Sequence, residues 1–338
     1  MAKERIGFIG VGLMGHGMAK NFAEKGHSLT ILGHRNRQPV EDLVQRGASE
    51  VKSAEEVARA SDIVFLCVTG SAEVEALVRG PGGLKAGAHQ GLVIVDTSTS
   101  DPNSTLALAA ELAPLGVAFC DAPLGGTPAQ AEEGKLSTMV GCDESVWPRL
   151  EPVFSAIAQK SVRVGEAGDG HKMKLMMNFL SMGYAGIYSE ALALGAKVGL
   201  TPQKIDSVIR GSRMDCGFYQ TFFSYVLERN RDAHKFTLRN AAKDMNYLTA
   251  MALAAGTANP VGAAIRNYYV AAVAAGRGED YVPMLSDFVA EQNGTSLTGR
   301  QLLPHRHDGR RTGHSGTGGP IDDADRAGAR EHTPRVHR

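Results

Sequence analysis

The chain has 338 residues, 43% of them hydrophobic and 21% charged, with Lys+Arg and Asp+Glu both at 36 and therefore no formal net charge. That length favours two domains over one core, and the balanced charge provides no global field toward nucleic acid or an anionic membrane, so an anionic ligand must be met by local groups. Cys67, Cys120, Cys142 and Cys216 form no CxxC pair, which argues against a zinc site or disulfide framework and suits a reducing, cytoplasmic setting.

The first residues enter β-like sequence directly, without an export pattern. Short β-branched runs at Arg5–Ile9, Ser28–Leu32, Ile63–Val68, Leu92–Asp96 and Val117–Asp121 alternate with amphipathic segments at Met14–Lys25, Val40–Arg46, Ala54–Ala60 and Ser104–Leu115. Strands alternating with helical crossovers predict an α/β Rossmann-type, doubly wound parallel sheet over residues 1–166. After Gly168 the strand signals stop, and 167–294 reads as an all-helical domain for substrate and dimerisation. Its first helix carries Met173, Met177, Leu180, Tyr184, Ile187, Ala191 and Leu194 at spacings of three and four, an apolar stripe read as core. Further helices are expected at Pro202–Gly211, Gly217–Glu228, Thr237–Ala254 and Pro260–Ala275. The Ala-rich stretch Met251–Ala275 is interrupted by Asn259, Pro260, Arg266 and Asn267, which excludes a plain membrane span. Residues 295–338, dominated by Gly, Arg, His, Thr and Asp, read as a disordered tail; its five histidines lack regular ligand spacing, so no metal is expected.

Gly10, Gly12 and Gly15 form a GxGxxG between the first strand and the first helix, with Leu13 and Met14 completing the loop. In that position the first glycine permits the turn, the second admits a pyrophosphate and the third lets helix pack on strand, so a dinucleotide is expected on the helix N-terminus. The second strand ends in Gly33-His34-Arg35-Asn36-Arg37, with no carboxylate for a ribose hydroxyl and with guanidiniums that suit a 2′-phosphate. His34 and Arg35 are therefore assigned to the cofactor, NADP in preference to NAD.

Four ordered motifs resemble the β-hydroxyacid dehydrogenase family, which includes 3-hydroxyisobutyrate dehydrogenases, tartronate semialdehyde (2-hydroxy-3-oxopropionate) reductases, sulfolactaldehyde reductases and glyoxylate/succinic semialdehyde reductases. They are Gly7–Phe22, Asp121–Leu136, Gly168–Asn178 and Lys243–Asp244, spread over residues 4–292. The resemblance implies hydride transfer between a nicotinamide and a small β-hydroxy acid or semialdehyde. It makes Lys174 the proton-transferring lysine and Asn178, one turn on, its partner. It makes Gly125, Gly126 and Thr127 the loop that holds the substrate carboxylate. Most members have a serine where this chain has Gly125, so the backbone N–H groups are expected to form the anion nest, with the Thr127 side chain as replacement donor. It further implies that Val68, Thr69 and Thr99 line the cofactor, Thr99 at its nicotinamide half, that Lys243 reaches the cofactor from the helical part, and that Asp244 anchors its helix. Met177 stands where an asparagine is usual. Lys172, on another helix face, serves as a negative control. The small anionic substrate implies neither nucleic acid nor membrane as partner, and the surplus of apolar helix predicts a homodimer or homotetramer. Three alternatives are carried: a sulfolactaldehyde reductase, favoured by the Gly-x-Thr loop but lacking its arginine at Gly126; an imine reductase, which usually lacks the helix lysine; and a non-catalytic NADPH-binding module.

Overall fold

The computed structural model describes residues 3–298; the rest of the segment read as a tail, with its five histidines, lies outside the described residues. The order is β1 (Ile6–Ile9), α1 (Gly15–Glu24), β2 (Leu29–Leu32), α2 (Gln38–Gln45), β3 (Ser49–Val51), α3 (Ala54–Ala60), β4 (Ile63–Leu66), α4 (Ser71–Arg79), β5 (Val93–Asp96), α5 (Pro102–Leu112) and β6 (Ala118–Asp121). Then come β7 (Leu124–Gly125), α6 (Pro128–Glu132), β8 (Leu136–Gly141), α7 (Trp147–Phe154) and β9 (Ala158–Gly165). The helical part is α8 (Asp169–Lys197), α9 (Pro202–Ile209), α10 (Gly217–Glu228), α11 (Leu238–Ala254), α12 (Pro260–Ala274) and α13 (Leu285–Gln292).

The first six strands are parallel in the order β3-β2-β1-β4-β5-β6, the doubly wound arrangement expected from sequence. The sheet then departs from expectation. β8 runs antiparallel to β6 and β7, and β9 pairs parallel with β8. Polar residues interrupt both strands, Ser137 and the buried Thr138 in β8 and Gln159, Lys160, Ser161 and Arg163 in β9, so they lack the continuous apolar runs that marked the central strands. Apolar layers cover both sheet faces, with Phe8, Phe22 and Phe65 on one and Val57, Val64 and Ile94 on the other. Several helices start on a polar cap followed by proline: Asp101-Pro102, Thr127-Pro128, Thr201-Pro202 and Asn259-Pro260. The side chain accepts an orphan N–H, and the proline ring costs the first turn no donor.

The apolar stripe on α8 requires correction. Met173, Met177, Leu180, Tyr184, Ile187 and Leu194 are all exposed, Ile187 by 58% and Leu194 by 65%. The face turned into the helical core instead presents Leu175, Met182, Ala185, Ser189, Leu192 and Ala193, beneath α10, α11, α12 and α13. Apolar residues recur at helical spacing on both faces of this helix, so periodicity alone does not say which face other helices cover. No helix among the described residues is long and apolar enough to cross a membrane.

Candidate active site

The glycine loop has the geometry its spacing predicts. Gly10 has φ +100, and a Cβ there would strike the Cys67 carbonyl; a Cβ on Gly15 would strike the Gly10 carbonyl. Gly12 faces open space, with no atom within 4 Å of where a Cβ would stand, so a side chain there would occupy the cradle itself. No side chain caps α1 at Met14, which leaves first-turn N–H groups and the helix dipole for an anion, and Leu13 stands 82% exposed beside them. These residues fit a dinucleotide pyrophosphate.

At the adenosine end the sequence reading is corrected. Glu50, on the neighbouring β3, projects over Gly33 and takes Arg37 in a bidentate pair, with Nη1 and Nη2 at 2.7 and 2.8 Å from its oxygens. A carboxylate is therefore available there, delivered by strand pairing (Ile31 beside Glu50) from beyond the local motif. His34 and Arg35 are exposed and make no hydrogen bond or ion pair among the described residues.

At the carboxyl ends of β5 and β6 lie two buried carboxylates, of which Asp121 holds the start of α8. Asp121 accepts the N–H groups of Gly168 (2.5 Å) and His171 (2.6 Å), and burial still pushes its carboxyl above the ordinary range. His171 is fully buried, with Nδ1 2.8 Å from Thr105 Oγ1 and Nε2 3.2 Å from the Ser98 carbonyl. Asp96 accepts from Ser98 N and Ser100 Oγ. None of Asp96, Asp121 and His171 was singled out for a site from sequence; together they fasten the helix that carries Lys174 to the sheet.

Lys174 donates from Nζ to the Leu124 carbonyl at 2.7 Å, which brings it to the start of the Gly125–Thr127 loop. Burial, opposed by Asp244 and reinforced by Lys243, holds its pKa below the usual lysine range. One turn on, Asn178 Nδ2 donates to Asp244 Oδ2 at 2.6 Å. Lys243 lies 3.0 Å from Asp244 Oδ1, donates to the Thr99 carbonyl at 2.6 Å and sits over the Tyr247 ring. α11 thereby docks on the strand ends, where Val68 N donates to Ser98 Oγ and Thr69 is exposed. Lys172 pairs with Asp169 at 2.8 Å, away from this cluster. Met177 is exposed, 49%.

The loop differs from expectation at Thr127. Its N–H is taken by Gln130 Oε1 (2.9 Å), and its Oγ1 accepts Gln130 N (3.3 Å), a capping box that starts α6 and removes this N–H from any anion nest. Gly126, at φ +131, holds a conformation suited to glycine. A residue missed from sequence stands beside Gly125: Ser137 Oγ lies 2.6 Å from where a Gly125 Cβ would be. Ser137 reaches that place by β7–β8 pairing, which no local motif announces.

Residues 5–165 match the model described as the NAD binding domain of 6-phosphogluconate dehydrogenase. Residues 168–286 match that described as NAD-binding of NADP-dependent 3-hydroxyisobutyrate dehydrogenase. The chain is 37% identical over 205 residues to the 2-(hydroxymethyl)glutarate dehydrogenase of Eubacterium barkeri, covering 61% of this chain and 68% of that protein. It is 33% identical over 259 residues to the 2-hydroxy-3-oxopropionate reductase of Escherichia coli (strain K12), covering 75% and 87%. The crystallised 3-hydroxyisobutyrate dehydrogenase of Mycobacterium tuberculosis shares the fold, with TM-score 0.76 and 24% identity over 85% of this chain and 99% of that one. With the nucleotide cradle and the lysine-bearing helix in place, the chain belongs to the β-hydroxyacid dehydrogenase family and is an NAD(P)-dependent oxidoreductase.

Proposed function

We propose that this enzyme, in a cytoplasmic setting, interconverts a small semialdehyde acid and its β-hydroxy acid, of the 2-hydroxy-3-oxopropionate or 3-hydroxyisobutyrate type, with NADP preferred. The observation that carries the reading is the Lys174 amine, desolvated and bonded to the Leu124 carbonyl at the mouth of the glycine loop. A lysine so placed exchanges that carbonyl for the substrate oxygen, protonates it during reduction and takes the proton back during oxidation. The nicotinamide, when bound, supplies or receives the hydride. Asn178, fixed by Asp244, orients the substrate oxygen, and Lys243 and Thr99 close the nicotinamide end beside Val68 and Thr69. Gly125 and Gly126, the Thr127 hydroxyl and Ser137 Oγ hold the carboxylate. Gly10, Gly12, Leu13, Met14 and Gly15 hold the pyrophosphate. His34 and Arg35, without other partners among the described residues, take the 2′-phosphate, while Glu50 restrains Arg37 from doing so.

In this reading residues 1–166 form the cofactor part and 167–294 the helical part. The exposed apolar face of α8 mates with another copy in a homodimer or homotetramer, because so long an apolar strip gains free energy when covered. The test is absorbance at the nicotinamide band with NADPH and NADH against succinic, tartronic, methylmalonic and sulfolactic semialdehydes. The expected outcome is oxidation of NADPH with one of them, and loss of about a hundredfold or more of that rate in Lys174→Ala while cofactor still binds. A Lys174→Ala enzyme of native rate refutes the proposal.

A further inference from the structure

Among the described residues, two buried polar side-chain atoms have no hydrogen-bond partner, Asp244 Oδ1 and His234 Nε2. Both side chains lie within the field of the Lys174 ammonium. Unpaired buried polar atoms are rare in folded proteins, and two of them around one amine mark where a ligand's polar atoms complete the network. Asp244 is partly accounted for, since Lys243 stands 3.0 Å from that same oxygen and Asn178 occupies the other. His234 has no such account, and among the described residues neither ring nitrogen is hydrogen-bonded. Its ring is gripped edge-on by Phe218 (5.6 Å, 81°) and Phe236 (6.4 Å, 89°), which fixes its plane and leaves its nitrogens free. It stands in the short connection that enters α11, three residues before the Thr237 cap.

We propose that His234 is a specificity residue, whose Nε2 hydrogen-bonds an oxygen, hydroxyl or carboxylate, on the substituent of the carbon between the substrate's carboxylate and its reacting carbonyl. This rests on the dehydrogenase reading above. There, the carboxylate is met by the Gly125–Thr127 loop with Ser137, and the reacting oxygen by Lys174 and Asn178, so the substituent is the one part of a small semialdehyde acid left to face a further polar group. Burial, and then the Lys174 ammonium, hold the imidazole pKa below its usual value, so it acts as a neutral partner and selects by hydrogen bonding rather than by charge. An alkyl substituent would leave Nε2 unpaired, which is how a site built around a hydrogen bond rejects an analogue lacking it.

The test compares 2-hydroxy-3-oxopropionate with 2-methyl-3-oxopropionate under NADPH, and 2-(hydroxymethyl)glutarate under NADP as the carboxylate arm. The proteins are native, His234→Phe, which keeps the edge-on ring packing, and His234→Gln, which keeps an amide donor. The native enzyme should favour oxygen-bearing over methyl substrates by about tenfold or more in kcat/KM. His234→Phe should bring that ratio to about one with the KM for NADPH unchanged, and His234→Gln should keep part of it. The arm with the larger His234→Phe loss identifies hydroxyl or carboxylate as the natural group. A native ratio within about twofold of one, or an unchanged ratio in His234→Phe, overturns the proposal. Failure of the dehydrogenase reading is seen separately, as no turnover of any substrate by native protein. The proposal is then decided by calorimetry on NADP-saturated protein, where equal affinities for hydroxymalonate and methylmalonate overturn it and loss of a hydroxymalonate preference in His234→Phe supports it.

Discussion

Replacing Gly17 by alanine tests whether the cofactor helix positions the substrate loop. A Cβ on Gly17 would lie 2.5 Å from Glu132 N and 2.6 Å from the Ala131 carbonyl carbon, both backbone atoms of α6 and its end, so no side-chain rotation relieves it. Restoring an ordinary 3.4 Å contact requires α6 to retreat by about 0.9 Å. That retreat strains the Asn21 bonds to the Ala131 and Glu132 carbonyls (3.0 and 3.3 Å) and the contact of His16 with Glu132 (2.7 Å). Overpacking costs about 1–3 kcal/mol and a weakened neutral hydrogen bond about 1, against a helix-propensity gain of about 1 for alanine over glycine. The net is a loss of about 1–3 kcal/mol, or a fall in melting temperature of roughly 1.5–4 °C at this chain length. Because α6 begins at the Thr127 capping box, the same movement displaces the Gly125–Thr127 loop, and the KM for the semialdehyde should rise about tenfold or more with little change for NADPH. Thermal melts and steady-state kinetics read both effects. A variant that melts within 0.5 °C of native (about 0.4 kcal/mol) with an unaltered semialdehyde KM would refute the mechanical link between the two helices.

Since the folded environment lowers the Lys174 pKa, the ammonium that donates in reduction is lost at lower pH than an ordinary lysine would lose it. The kcat/KM for reduction should therefore fall as pH rises through a value below 10.5, while that for oxidation rises over the same range; limbs of the same sign in a pH–rate profile would contradict this assignment. Glu50→Gln should release Arg37 and shift the NADPH-to-NADH ratio of kcat/KM toward NADPH by several-fold, with the melting temperature nearly unchanged because the pair is surface-exposed. An unmoved ratio would place Arg37 outside cofactor recognition. The double change Leu180→Asp with Ile187→Asp, both at positions more than half exposed, should convert the native assembly to monomer by light scattering, whereas a monomeric native protein would remove the basis for an α8 interface.

The central strands and the glycine loop were legible from sequence because their determinants are local: β-branched runs, a turn that tolerates only glycine, and caps followed by proline. Lys174 and Asn178 were legible as a same-face pair because one helical turn separates them, although spacing alone does not tell the proposed proton donor from Lys172 beside it. β8 and β9 escaped because Ser137, Thr138, Gln159, Lys160, Ser161 and Arg163 interrupt the apolar run that announces a strand. The α8 stripe was misread because periodicity marks two apolar faces equally, and the choice between them depends on which face other helices can approach closely.

Composition, the ordered motifs and the strand–helix alternation thus determined by themselves the family, the doubly wound sheet and the nicotinamide cofactor, and they singled out Lys174 for the role proposed for it. Tertiary structure decided what surrounds them. Glu50 meets Arg37 across a strand pair, Ser137 arrives beside Gly125 by hairpin register, and Asp121 and His171 join 50 residues apart at the foot of α8. His234 reaches the field of Lys174 through tertiary packing, its ring against Phe218 of α10, which itself meets Tyr184 and Tyr188 of α8. Each of these is a contact between residues distant in sequence, and a linear pattern carries no record of which distant side chains share a desolvated space.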